Sequence, residues 1–292
     1  MISSKSNTSF RWNADWTIKP LLAATAATAA LIILLVVLFL LREAWPVLSD
    51  GGWTKFVLDE SWYPLEGRFG LAPMVCATLA ASAGAVLLAA PLGVGSAIFG
   101  HFYATPMLKK LYGMTMALLA GIPSVVYGLW GLTVLVPLIA RIESPGSSLL
   151  AAILVLALMI LPTVALTSAS ALEAVPGSLM RGAAALGMTF KGQILGVAVP
   201  AARVGIVGGI LLALARAMGE TMAVLMVAGN IVQMPLSIFE PMRVLTANIA
   251  LEMGYATGTH RAGLFASGLL LTALVLLLAF IATRIAGKAR HD

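Results

Sequence analysis

Arg216 and Glu220 stand near the middle of GGILLALARAMGETMAVLMVAGN, residues 208–230, a stretch otherwise apolar enough to cross a membrane. An isolated charge at the centre of a bilayer costs at least about 2.5–3.5 kcal/mol on insertion scales. Four residues apart on a helix, the two side chains share a face and are close enough to pair. Pairing reduces the cost without removing it, because both ions remain desolvated. Ionisable groups kept at this price usually face a polar path and act on an ion. A guanidinium suits an oxyanion, since its planar fork of donors matches the oxygens. Glu220 would compete for that fork and keep Arg216 from becoming a trap. The competing reading is a staple, in which the pair only fastens this helix to a neighbour. Arg216 lies 13 residues after Arg203, roughly 20 Å along a helix and so near mid-membrane.

Weaker candidates lie on other apolar runs. Ser124 follows Pro123 and Thr163 follows Pro162. A proline kink exposes carbonyls that a nearby hydroxyl can satisfy, so each either lines a path or mends the backbone. Thr167, Ser168, Thr221 and Asn230 either line a polar route or join helices. The run Gly205-Ile206-Val207-Gly208-Gly209 has small residues at a spacing that permits close helix contact.

The elements that position these groups follow from composition. Of 292 residues, 60% are hydrophobic and 10% charged, against about a quarter charged in soluble domains. With a mean hydropathy of +1.00, the chain reads as an all-α integral membrane protein. Apolar runs at 20–41, 71–100, 111–140, 149–171, 203–229 and 262–284 make six spans, each near or above the ~20 residues required. Residues 1–19 form a polar leading segment and 285–292 a short tail. The run at 20–41 is longer than a signal-peptide core and has its small residues first, so it reads as a retained anchor.

Lys and Arg divide 11 to 6 between the two sides, Arg216 being the eighteenth. The excess places both termini in the cytoplasm. It also accounts for the net charge of +6 without nucleic acid, for which there is no basic stripe with interleaved aromatics. Residues 42–70 and 231–261 then face outward, and residues 172–202 face inward.

Chemistry of other kinds has little support. Cys76 is the only cysteine and reads as a small apolar packing residue. His101, His260 and His291 lack metal-ligand spacing and read as helix-end or loop residues. No phosphate-binding loop of the Gly-x4-Gly-Lys-Ser/Thr kind occurs, so any ATP that drives this chain is bound elsewhere.

The inward loop carries the most specific signal. In EAVPGSLMRGAAALGMTFKGQILGVAVP, Ser178 is placed to cap a short helix that Gly187 ends, and a second short helix runs from Phe190 toward Pro200. This segment resembles the coupling motif of ABC-importer permeases: Glu-Ala-Ala, three residues, Gly, nine residues, Ile-x-Leu-Pro. Here Arg181 occupies the Glu position, followed by Gly182 and Ala183; Gly187 and the Val-Ala-Val-Pro200 ending fit. The stretches GRFGLAPMVCATLAASAGAVLLAAPLGVGSAI, LLAGIPSVVYGLWGLTVLVP, ARAMGETMAVLMVAGN and LTANIALEMGYATG resemble the permeases of the high-affinity phosphate importer, specifically the PstC type.

The resemblance implies a type I importer fold within 71–284, with the first helix added to a five-helix core. It implies transport roles for Arg216 and Glu220, and a loop that docks on an ATPase. It implies a PstA-like sister permease, a dimer of ATP-binding subunits using ATP and Mg, and an external phosphate-binding protein. No cofactor is expected on this chain. Molybdate or sulfate as substrate, an ion-coupled carrier, and a phosphate sensor stay open beside it.

Overall fold

The computed structural model describes residues 15–51 and 53–288. The expectations for residues 1–14 and 289–292 lie outside them. Helix α1 (Asp15–Gly51) is longer than the 20–41 span. It continues through Arg42, Glu43, Ala44, Trp45 and Pro46, which were read as the start of a loop, because Ala44, Val47 and Leu48 find an apolar surface to bury against. A short helix α2 (Trp53–Leu58) follows. Then β1 (Trp62–Tyr63) pairs antiparallel with β2 (Arg68–Phe69), Trp62 opposite Phe69. Gly67, at φ +71°, closes the connecting turn, a conformation glycine adopts without a Cβ penalty.

The core is built on α3 (Ala72–Ile98), which extends as a π-helical turn to Tyr103. Ala77, Ala81, Ala85 and Ala89, one every four residues, are all buried in the main core. Such a stripe of small side chains lets two backbones approach closely. Its partner is the helix Leu149–Glu173, through Ala152, Val155, Leu156, Met159 and Ile160. Cys76 lies off this stripe, free and exposed on the surface of the span.

The expected third span, 111–140, is two helices, not one. Helices α4 (Pro106–Gly121) and α5 (Ser124–Trp130) meet at 89° across Ile122-Pro123. A π-helical turn, Gly131–Leu135, leads on to α6 (Val136–Ala140). Pro123 forms the N-cap of α5, where its missing N–H costs nothing. The Leu119 carbonyl at the break accepts a bond of 2.8 Å from the Tyr127 hydroxyl. The mending side chain is Tyr127, not Ser124.

Helix α7 (Leu149–Glu173) is capped by Ser148, whose hydroxyl accepts from the Ala151 N–H. Next come α8 (Gly177–Ala185) and α9 (Phe190–Gln193). A π-helical turn, Ile194–Ala198, joins α9 without a break to α10 (Val199–Met218). The unit Phe190–Met218 is the membrane-length helix here, so the expected span at 203–229 is displaced toward the N-terminus. Pro200 does not end a short helix. It sits in the first turn of α10 directly after the π turn, where the ladder is already shifted and the absent N–H is tolerated. The inward loop shrinks accordingly, from 172–202 to the residues between Glu173 and Phe190. The order closes with α11 (Met222–Val227), α12 (Leu245–Glu252) and α13 (Gly258–Lys288).

Among the described residues, five helices are long and apolar enough to cross a membrane, and the bent α4–α5 pair makes a sixth. Helix α1 lies outside the core against α13, with Phe39 edge-on to Phe265 at 5.6 Å. Its most apolar window buries nothing inside the chain, which suits a lipid-facing addition.

The small-residue run on α10 does what its spacing suggests, at two of its three glycines. A Cβ on Gly205 would sit 2.6 Å from Ala171 Cβ, and one on Gly209 would sit 2.7 Å from Thr167 Cβ. Gly208 faces open space. Replacing Gly209 by Ala is therefore expected to destabilise the bundle by about 1–3 kcal/mol through overpacking. Gly208→Ala is expected to be neutral or stabilising by about 0.5–1 kcal/mol. Thermal unfolding in detergent separates the two, and equal melting shifts would show that α10 does not pack this closely on α7.

Candidate functional site

The helix carrying Arg216 stops before Glu220. Gly219 is the C-cap of α10, and Glu220 and Thr221 form a turn leading into α11. Arg216 thus occupies the last turn of a helix, 26 residues after Phe190, or roughly 39 Å along it. The expected position at mid-helix, counted from Arg203, is corrected by the earlier helix start.

The expected Arg216–Glu220 ion pair is also absent among the described residues. The break removes the four-residue helical geometry on which that pairing depended. Arg216 is exposed and donates from Nη1 to Thr163 Oγ1 at 3.2 Å. Glu220 turns the other way: its Oε1 accepts from the Ala223 N–H at 3.1 Å. Each charge sits where a helix terminus favours it, the cation at the carbonyl end of α10 and the carboxylate at the amide end of α11. A broken helix so explains how the chain tolerates both charges without pairing them. The expectation that Glu220 competes for the Arg216 fork finds no contact in this conformation.

The structure sorts the weaker candidates. Thr163 joins Arg216, on α7 just after Pro162. Thr167 donates to the Thr163 carbonyl one turn back at 2.8 Å and packs against Gly209. Asn230, at φ +58°, donates from Nδ2 to the Leu225 carbonyl at 2.8 Å, capping α11. Thr221 bonds only the nearby Gly219 carbonyl, at 3.4 Å. Ser168 is fully buried. Ser124 opens α5 and is half-buried. Of the eight candidate pathway residues, the hydrogen bonds unite Arg216 with Thr163 and leave Glu220 at the adjoining turn.

Sequence spacing missed a second polar cluster. Glu252 accepts through Oε1 from Arg243 Nη1 at 2.7 Å and through Oε2 from Trp62 Nε1 at 3.0 Å. His260 Nε2 lies 2.8 Å from the same Oε2. Arg243 also donates to Asn248 Oδ1 at 3.0 Å and to the Asn230 carbonyl at 2.8 Å. The pair is largely buried, with side-chain exposures of 18% and 10%. Nothing periodic announces it, since Trp62 and Glu252 are 190 residues apart. The available signal was the proximity of Arg243, Glu252 and His260 in a region poor in charge. Three residues before Trp62, the half-buried Asp59 has its carboxyl held below its ordinary pKa, chiefly by the Ser61 amide and hydroxyl.

At the α8 end, the helix terminates in a Schellman arrangement. Gly187 takes φ +78°, its N–H bonds the Ala184 carbonyl, and the Met188 N–H bonds the Ala183 carbonyl. Ser178 is not the cap: Pro176 holds that position and makes no side-chain bond. Thr189 caps the following helix, accepting from the Gly192 N–H at 3.2 Å. Arg181, Gly182 and Gly187 are exposed, while Ala183 is buried. Leu179 and Leu186 stand out at 46% and 85% exposure. Phe190 packs edge-on against Phe102 and Tyr103. The elbow is thus anchored to α3 on one side and presents apolar side chains on the other.

Residues 89–291 match the family model described as "Binding-protein-dependent transport system inner membrane component". That match spans most of the chain, elbow and broken helix included.

The chain belongs to this family.

Among permeases related to it, the phosphate transport system permease protein PstC of Mesorhizobium japonicum is 37% identical, over 83% of this chain and 81% of that protein. The probable ABC transporter permease protein YqgH of Bacillus subtilis is 40% identical, over 79% and 78%. PstC of Haemophilus influenzae is 36% identical, over 77% and 79%. In fold, the permease resembles an inward-facing structure of the MetNI methionine ABC transporter, with a TM-score of 0.62 and 20% identity, covering 78% of this chain and 99% of that one. The architecture is that of a type I ABC importer permease.

Proposed function

We propose that the chain is the permease subunit of an ATP-driven importer of inorganic phosphate. The observation that carries this reading is Arg216: an exposed guanidinium at the end of a broken helix, tied to the fold by one hydroxyl. Discontinuous helices whose ends face a polar path are the form in which transporters hold ions. The phosphate transport function of relatives 36–37% identical over most of the chain supports phosphate as the substrate.

Arg216 and Thr163 bind the anion transiently in this scheme. Glu220 accepts from the Ala223 N–H and sets a negative boundary at the adjoining turn, so that the anion is released. The elbow of α8 and α9 docks on a dimer of ATP-binding subunits, which use ATP and Mg. A PstA-like sister permease completes the pathway, and an external binding protein delivers the substrate to the 42–70 and 231–261 segments. Both termini face the cytoplasm of a bacterial inner membrane.

Vesicles containing the whole complex test the proposal. Labelled phosphate is expected to accumulate only with ATP and the binding protein, with sulfate and molybdate failing to compete. Uptake that follows a proton gradient and ignores ATP would replace this reading with an ion-coupled carrier.

A further inference from the structure

The 243–252 segment grips α11 at both ends. At the near end, Thr246 Oγ1 donates to the Glu220 carbonyl at 2.8 Å. At the far end, Arg243 Nε donates to the Asn230 carbonyl, and Asn230 in turn caps α11 through the Leu225 carbonyl. Helix α12 itself is pinned at its start by the bond from the Leu245 N–H to Thr78 Oγ1 on α3, at 3.1 Å. Its last residue, Glu252, reaches Trp62 on the β-hairpin and His260 on α13.

Every one of these ties is a directed polar bond. An eight-residue helix held this way, roughly 12 Å long, moves as a unit. Trp62 is buried in a small apolar cluster with Phe69 and Leu71, so a shift of the hairpin carries the indole N–H with it. Asn248 Nδ2 and Asn230 Oδ1 are buried without a hydrogen-bond partner among the described residues.

We infer that Trp62 and Glu252 are positioning residues for transport, which act through α12 and Thr246 to set the turn at Glu220 beside Arg216. The inference rests on the transport role proposed for Arg216. The hairpin end would thereby control how the anion site is presented.

The test uses the complete complex in vesicles with Glu252→Gln and, separately, Trp62→Phe. The first keeps the shape but leaves one oxygen to serve donors that now use two. The second keeps an aromatic ring against Phe69 and removes only the donor. Both are expected to assemble and to hydrolyse ATP normally while phosphate moved per ATP falls about tenfold, within the usual range of coupling between sites. If Glu252→Gln fails to assemble, Trp62→Phe decides. Unchanged phosphate per ATP in an assembled variant overturns the inference, as does a loss explained wholly by lower yield at normal turnover. Arg216→Gln in parallel keeps the two levels apart: if it transports normally, the functional reading itself fails.

Discussion

Replacing Arg216 by Gln is expected to lower phosphate uptake by at least about a hundredfold, the scale on which removing one oriented donor to an oxyanion acts. The fold should barely respond. Arg216 is exposed and its guanidinium bonds Thr163, so its loss costs stability about 0.5–1.5 kcal/mol. Assembly and ATP hydrolysis are expected to persist. Arg216→Lys should fall between, since it keeps the charge and loses the fork. Labelled-phosphate uptake normalised to assembled complex reads the effect. A variant that does not assemble would restore the staple reading, and one that transports normally would remove Arg216 from the pathway.

Leu186→Lys is expected to release the ATP-binding subunits. Leu186 is 85% exposed at the C-cap of α8, so the change costs the isolated permease no more than about 0.5 kcal/mol. A cation there also suits the carbonyl end of the helix. In a docked elbow the same side chain would be buried, and burying an unpaired charge costs several kcal/mol. At 1.4 kcal/mol per tenfold, affinity should fall by about a hundredfold or more. Co-purification of the ATP-binding subunits and ATP-dependent uptake would be lost together. Retention of both would mean that docking does not use this end of α8. Arg181, which stands where the family pattern has Glu, is exposed on the same short helix.

These two residues show how far one-dimensional reading reaches. Leu186 and Gly187 were legible because helix termination is local: glycine alone accepts φ +78° cheaply, and the capping bonds run between residues a few positions apart. Arg216 was legible as an anomaly, since a charge in an apolar run stands out in any count. Its partner was not. The four-residue spacing to Glu220 presumed an unbroken helix, whereas the chain turns at Gly219 and the guanidinium reaches Thr163, 53 positions away. The α4–α5 bend had a visible cause in Pro123, yet a proline fixes only local dihedrals. An angle of 89° depends on what receives the two halves, including the Tyr127 hydroxyl that fills the freed carbonyl.

By itself the sequence determined that this chain lies in a membrane, how many apolar segments it offers, where the elbow turns, and which charge in an apolar run needs explaining. Those properties depend on composition and on contacts within a few residues, where hydrocarbon solvation and backbone sterics act alone. Only the tertiary structure decided that Arg216 and Glu220 part company, that Thr167 packs against Gly209, and that Glu252 gathers Arg243, His260 and Trp62. Hydrogen bonds are short-ranged and directional, so their partners are set by where the packed helices bring distant residues, and no spacing along the chain encodes that meeting.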